Sequence, residues 1–272
     1  MMEDAGTTYH VNGIDLHVMV AGQGPDVLLV HGFPDCHSVW RKQVPVLVAA
    51  GYRVIAPDTR GCGLSEAPGA PSAYAIERLV ADLIGLLNAL GVTRVRLVAH
   101  DWGAVIAWQL CMRHPQRVDR YVALSVGHPA AFARAGIKQK LMSWYIFFFQ
   151  LHGFAEWVMR LAGWRAFRAV TRYPAECPRW IAALERPGRL TAAINYYRAN
   201  LGRIRTGFGR PVPVPVLGVW SDGDRFLCEE QMLASRDFVA GAWRYQRING
   251  ANHWLQLTAA DEFNALLLGF LH

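Results

Sequence analysis

The 272-residue sequence predicts an α/β architecture: a mostly parallel central sheet flanked by helices, with an all-helical segment inserted in its second half. Three observations lead there. Short runs rich in Val, Ile and Leu alternate with longer stretches of helical spacing, the pattern of parallel strands joined by crossover helices. That alternation stops at His128-Pro129 and resumes after Pro211, leaving a helical, aromatic, strand-free stretch between. Hydrophobic residues make up 53% and charged ones 18%, which allows a large core and argues against wholesale disorder.

Taken in order, Tyr9–Val11 and Ile14–Val20 read as an antiparallel hairpin at the sheet edge. Asn12-Gly13 joins them, a pair that tolerates the positive φ of a tight turn. Val27–Val30, Arg53–Ala56, Val95–Ala99, Val118–Leu124 and Val214–Trp220 read as buried strands between Gly, Pro and polar punctuation. Tyr245–Ile248 is the last strand. Ala75–Leu90, Ala104–Arg113 and Ala260–Leu271 have helical spacing, the second closed by His114-Pro115. Residues 1–128 and 211–272 are therefore expected to form one core, and 129–210 a helical lid over a site made by it.

Several classes are set aside by composition. The greasiest run, Leu141 to Leu151, is broken by Ser143 and Gln150 and falls short of the roughly 18 apolar residues a span needs, so no membrane insertion is expected. Met1-Met2-Glu3-Asp4 has no secretion-signal character. Five cysteines (Cys36, Cys62, Cys111, Cys177, Cys228) without a CxxC pair suit a reduced, cytoplasmic protein with neither structural zinc nor disulfides. The net charge of +7 is concentrated in the lid: Pro129 to Arg210 holds 14 of the 28 Lys and Arg but only Glu156, Glu176 and Glu185 as acids. A basic lid can attract anions or a membrane surface. Without a nucleic-acid-binding motif, it reads more simply as a solvated, arginine-rich surface, and no nucleic-acid partner is expected. Oligomeric state, a homodimer included, stays open.

The chemistry begins at Leu97-Val98-Ala99-His100-Asp101-Trp102-Gly103-Ala104, where a buried strand runs straight into a helix. Small residues two positions either side of Asp101 permit the sharp turn that pushes one side chain into a cleft. The helix amino terminus favours an ionised carboxylate there. An Asp that merely caps the helix is the plainer reading of this segment alone. Near the carboxyl end, Asn249-Gly250-Ala251-Asn252-His253-Trp254 carries a histidine just after a strand. Val219-Trp220-Ser221-Asp222-Gly223-Asp224 ends another strand with two aspartates, Asp224 preferred and Asp222 in reserve as the partner of His253. Nucleophile, acid and base so ordered match the chain order of α/β-hydrolases. His253 can activate a water, and an aspartate on its other nitrogen would fix its tautomer. His31-Gly32-Phe33-Pro34-Asp35 follows the Val27–Val30 strand, so the Phe33 and Trp102 amides are candidates for an oxyanion hole. The Asp58–Ser65 loop reads as structural, through its glycines and an Asp/Arg pair. His31, His37 and His100 read as packing or hydrogen-bonding residues.

Together these segments resemble the α/β-hydrolase superfamily over nearly the whole chain. His-Asp-Trp-Gly at 100–103 with His-Gly-Phe-Pro at 31–34 is most similar to its epoxide hydrolase branch. Tyr145-Ile-Phe-Phe-Phe-Gln150 resembles the lid segment bearing the first epoxide-binding tyrosine of that branch. Asn195-Tyr196-Tyr197-Arg198 resembles the segment bearing the second, which makes Tyr197 its counterpart; Tyr196 stands where tryptophan is common. Ala99 and Ser221 replace glycines usual in the family. The resemblance implies a small apolar epoxide as substrate, an Asp101 ester as intermediate and a vicinal diol as product, with Phe33, Trp102, Tyr145 and Tyr197 around the substrate and neither metal nor cofactor. Haloalkane dehalogenases share the aspartate and the tryptophan after it, and Trp144, Trp157 and Trp164 offer further halide-binding indoles. They commonly place asparagine where Phe33 stands, and a halide needs no phenol pair. A catalytically silent ligand receptor is the reading from a different class, opposed by the intact triad.

Overall fold

In the computed structural model, residues 6–207 and 209–272 are described; Met1 to Asp4 and position 208 of the expected lid lie outside them. Strands whose two faces are both covered can be apolar throughout. Leu97, Val98 and Ala99 at the middle of the sheet are accordingly all fully buried. Eight strands are present: β1 (Thr7–Val11), β2 (Ile14–Ala21), β3 (Asp26–Val30), β4 (Arg53–Pro57), β5 (Val95–His100), β6 (Val118–Leu124), β7 (Val216–Gly223) and β8 (Trp243–Asn252). They form one sheet in the order β1-β2-β4-β3-β5-β6-β7-β8. Pairs β1–β2 and β2–β4 are antiparallel and the rest parallel. Asn12 and Gly13 turn the first hairpin with φ of 52° and 71°.

Helices α1 (Val44–Ala49), α2 (Ile76–Ala89) and α3 (Trp102–Arg113) pack on the first part of the sheet. The stripe Ile76, Leu79, Val80, Leu83, Leu86 and Leu87 seats α2. Beyond it Val92 N–H donates to Leu87 O at 2.8 Å around Gly91, whose φ is 67°. That bond satisfies a terminal carbonyl the helix cannot. Between β6 and β7 come α4 (Pro129–Arg134), α5 (Ile137–Met142), α6 (Trp144–Phe148), α7 (Phe154–Thr171), α8 (Cys177–Glu185) and α9 (Arg189–Thr206), with no strand among the described residues of that stretch. Helix α7 is interrupted from Leu161 to Trp164. The chain closes with α10 (Glu229–Leu233), α11 (Leu255–Thr258) and α12 (Ala260–Leu271).

Buried polar contacts hold the inserted helices in place. Arg198 on α9 grips Glu156 on α7 with both terminal nitrogens, at 2.7 and 3.0 Å, while its Nε donates to Phe149 O at 2.8 Å. Tyr196, two residues earlier and on the other side of the helix, donates to Arg60 O at 2.6 Å, and Asn200 bridges the Ile76 amide and Tyr74 O, each at 2.9 Å. So α9 is bonded to the core on one side and to α7 on another.

Three expectations are corrected. The strand expected from Val214 starts at Val216, because Pro213 and Pro215 have no N–H for a ladder; Val212 bridges Val239 instead. The strand expected over Tyr245–Ile248 runs from Trp243 to Asn252, since an edge strand is half solvated and its polar alternates hide its length. Arg60 does not pair with Asp58. It forms a fork with Asp82 on α2, at 2.8 and 2.7 Å, while Asp58 accepts the amides of His37 and Leu64, both at 2.8 Å. The short helices α1, α10 and α11 lack a long amphipathic stripe and went unread.

Candidate active site

Asp101 sits between the end of β5 and the start of α3 with φ 51° and ψ −123°. A side chain rarely adopts such a backbone, which costs about 1–3 kcal/mol and must be imposed by the surroundings. They do impose it. A Cβ on Gly103 would lie 2.2 Å from Val30 O, and one on Gly32 would lie 2.4 Å from Asp101 Oδ1. Only hydrogen at these two positions lets β3, its following loop and the elbow close on one another.

The Asp101 carboxylate is oriented atom by atom. Oδ1 accepts the Phe33 amide at 2.7 Å, and the Trp102 amide also stabilises the anion. Oδ2 lies 3.7 Å from His253 Nε2. Burial opposes ionisation of Asp101, but the adjacent protonated His253 prevails and holds its pKa below the ordinary carboxylate value. His253 Nδ1 is 2.8 Å from Asp224 Oδ2. The other Asp224 oxygen accepts the Phe226 and Leu227 amides at 2.8 and 3.0 Å. Asp222 points elsewhere and accepts the Gly250 amide at 2.7 Å. Burial would lower the His253 pKa, yet the Asp224 and Asp101 carboxylates outweigh it and push it up to about 10. In this state the pair is therefore carboxylate and imidazolium.

Tyr145 and Tyr197 line the same cavity as Asp101, their rings 5.8 Å apart and nearly perpendicular. Burial first, and the nearby Asp101 charge second, raise both phenols well above their ordinary pKa, so they remain hydrogen-bond donors. On one side the cavity is walled by Val105, Val126, Phe132, Ile146 and Leu227. On the other it is walled by Phe149, Phe226 and Trp254. Its walls are thus almost wholly apolar apart from the carboxylate, the imidazole and the phenols.

The neighbouring histidines are accounted for without titration. Nε2 of His100 donates to His253 O at 2.9 Å, and burial drops its pKa to about 3. His31 Nε2 accepts the Thr59 amide at 3.0 Å. The three lid indoles offered for a halide do not reach the cavity: Trp144 and Trp157 are more than half exposed, and Trp164 bonds Glu185 at 2.9 Å. His17, His37 and Asp58 bring metal-ligand atoms within 4.8 Å of one another, but Asp58 Oδ1 is already engaged by the His37 amide and ring. Two residues with a place in the site escaped the sequence reading. Phe226 stacks edge-on to His253 at 5.0 Å, and Asp35 accepts the Trp180 and Trp254 indoles at 2.7 and 2.9 Å. Their only sequence signal is adjacency, to Asp224 and to the Phe33-Pro34 turn.

An eight-stranded sheet with this elbow, histidine loop and aspartate loop defines an α/β-hydrolase, and the chain belongs to that fold family, which it matches over residues 25–260. Among its relatives the epoxide hydrolases stand out. It is 35% identical to epoxide hydrolase A of Mycobacterium tuberculosis, across 96% of this chain and 95% of that protein. The solved structure of a Bacillus megaterium epoxide hydrolase with an inhibitor superposes with a TM-score of 0.89 at 26% identity, covering 97% of this chain and 99% of that one. An epoxide hydrolase from Vigna radiata gives 0.86 at 31% identity, covering 100% and 98%.

Proposed function

We propose that this chain is an epoxide hydrolase that adds water to a small apolar epoxide through an ester on Asp101. The observation that carries the reading is one apolar cavity shared by an ionised carboxylate and two buried phenols. An epoxide needs both, because ring opening releases an alkoxide, a poor leaving group unless its oxygen is protonated or hydrogen-bonded. A halide needs no phenol pair.

In the first step Asp101 Oδ2, the oxygen not held by Phe33, attacks a ring carbon and the C–O bond breaks. Tyr145 and Tyr197 hydrogen-bond the released oxygen and one gives up its proton, which solvent restores. In the second, His253 removes a proton from a water that attacks the Asp101 carbonyl carbon. Negative charge then develops on Oδ1, which already accepts the Phe33 amide at 2.7 Å, with the Trp102 amide assigned as its second donor. Collapse expels the diol, whose oxygen takes the proton from His253. Asp224 holds the His253 ring in place throughout and stabilises the imidazolium when it forms. The chemistry requires no metal, organic cofactor or nucleic acid. We assign residues 129–210 as the lid that carries the phenols and excludes water, and 1–128 with 211–272 as the core. Five cysteines without a disulfide suit a cytoplasmic setting.

Single-turnover reaction in oxygen-18 water tests the scheme. Water that attacks the ester carbonyl leaves its label in the Asp101 carboxylate, found by peptide mass spectrometry. Label that appears only in the diol would mean direct attack of water on the epoxide and would overturn the reading.

A further inference from the structure

Twelve large apolar side chains are exposed among the described residues, and eight of them lie between Ile137 and Leu161. They recur every three or four residues along α5, α6 and α7, including Leu141, Trp144, Phe147 and Trp157. Rings join them into a patch: Trp144–Phe148 at 5.9 Å, Phe148–Phe154 at 6.4 Å and Phe154–Trp157 at 5.7 Å. A soluble surface scatters its exposed apolar groups, so a cluster of this size marks a contact.

Charge indicates what the contact is. From Arg134 to Arg172 seven lysines and arginines are exposed. The single acid of that stretch, Glu156, is buried against Arg198. A second copy of the chain would set these cations against their own equivalents, a like-charge juxtaposition that disfavours self-association here. Aromatic side chains interleaved with cations suit the headgroup layer of an anionic bilayer, where rings sit at the boundary and ammonium and guanidinium groups meet lipid phosphates. We propose that this face of the lid seats on an anionic membrane surface. The chain lies on the bilayer and does not cross it, as none of the helices in the described residues is long and apolar enough to span. The placement has a use. Helix α6 turns Trp144 and Phe147 outward while its Tyr145 and Ile146 line the cavity, so a substrate dissolved in lipid would meet the site one helix away.

Flotation of the full chain with vesicles tests this without reference to catalysis, so its outcome stands apart from the epoxide assignment. Vesicles of phosphatidylglycerol and phosphatidylcholine in equal parts should carry at least about tenfold more protein than pure phosphatidylcholine, and high salt should release it. The triple substitution Trp144→Ser/Phe147→Ser/Trp157→Ser should lower partitioning about tenfold or more. Should that variant fail to fold, Lys138→Glu/Lys140→Glu, which alters only exposed side chains, should do the same with an unchanged circular dichroism spectrum. Equal flotation with both lipids, none with either, or variants that float like the parent would overturn the proposal. So would light scattering that finds a dimer which the triple variant converts to monomer, because the face would then be an interface between copies.

Discussion

Asp101 and His253 hold one another in a state that can perform the first half of the reaction and not the second. While Asp101 is ionised, His253, with its pKa pushed up to about 10, keeps its proton at neutral pH and is no base. Alkylation erases the Asp101 charge, and with it the attraction that Asp101 exerts on the imidazolium; burial then weighs more heavily against Asp224 and the His253 pKa falls. The nucleophile's consumption thereby switches on the base. Hydrolysis of the ester should accordingly speed up as pH rises through an ionisation below about 10, measured by rapid quench of preformed ester. A pH-independent hydrolysis step would remove the base from His253. His253→Gln should still be alkylated and accumulate a substrate adduct by intact-protein mass spectrometry, and a variant that neither reacts nor accumulates adduct would count against this division of labour. At the phenols, Tyr145→Phe or Tyr197→Phe should each slow alkylation by roughly 10²-fold, the usual scale for a proton donor, and the pair should nearly stop it. Transient kinetics that show full alkylation in the double variant would restore the dehalogenase reading.

At the scale of elements, the phenols depend on helices held by buried charge. Arg198 follows Tyr197 directly, and its side chain, 3% exposed, forks onto Glu156. Burial alone would raise the Glu156 pKa, and the Arg198 bonds bring it below its ordinary value. Removing one partner of such a pair strands the other in an apolar setting. Arg198→Met should destabilise the chain by about 3–5 kcal/mol, seen as a lower urea midpoint, whereas removing both charges should recover much of the loss. If Arg198→Met unfolds like the parent, the pair is not what fixes α9 on α7. The Trp180–Asp35–Trp254 bridge is a second tie, from α8 to the loop after His253. Burial lifts the Asp35 pKa to about 7 despite the two indoles, so this tie becomes negatively charged only near neutrality.

At the scale of the molecule, the sheet supplies the rigidity that the strained elbow needs. Leu97, Leu28 and Val122 are completely buried on the three central strands, where a lost side chain leaves a cavity that rigid neighbours cannot fill. Leu97→Ala should cost about 2–5 kcal/mol in equilibrium unfolding. A change under about 1 kcal/mol would mean the centre of the sheet is looser than its burial implies.

Strand and helix order, the elbow at Asp101, the turn bearing His253 and the two lid tyrosines were legible along the chain, because each rests on local grammar: apolar runs, small residues beside a sharp turn, punctuation at strand ends. Period and punctuation pass from sequence to structure almost unchanged. Along the chain Asp224 was preferred to Asp222 as the partner of His253, but both sit in one loop, and only the folded loop shows Asp224 on His253 while Asp222 accepts the Gly250 amide. The same holds for Arg60 choosing Asp82, for the indoles on Asp35 and for the outward apolar face of the lid. These follow from contacts between segments far apart in the chain, and their energies depend on distances and burial that exist only once the molecule is folded.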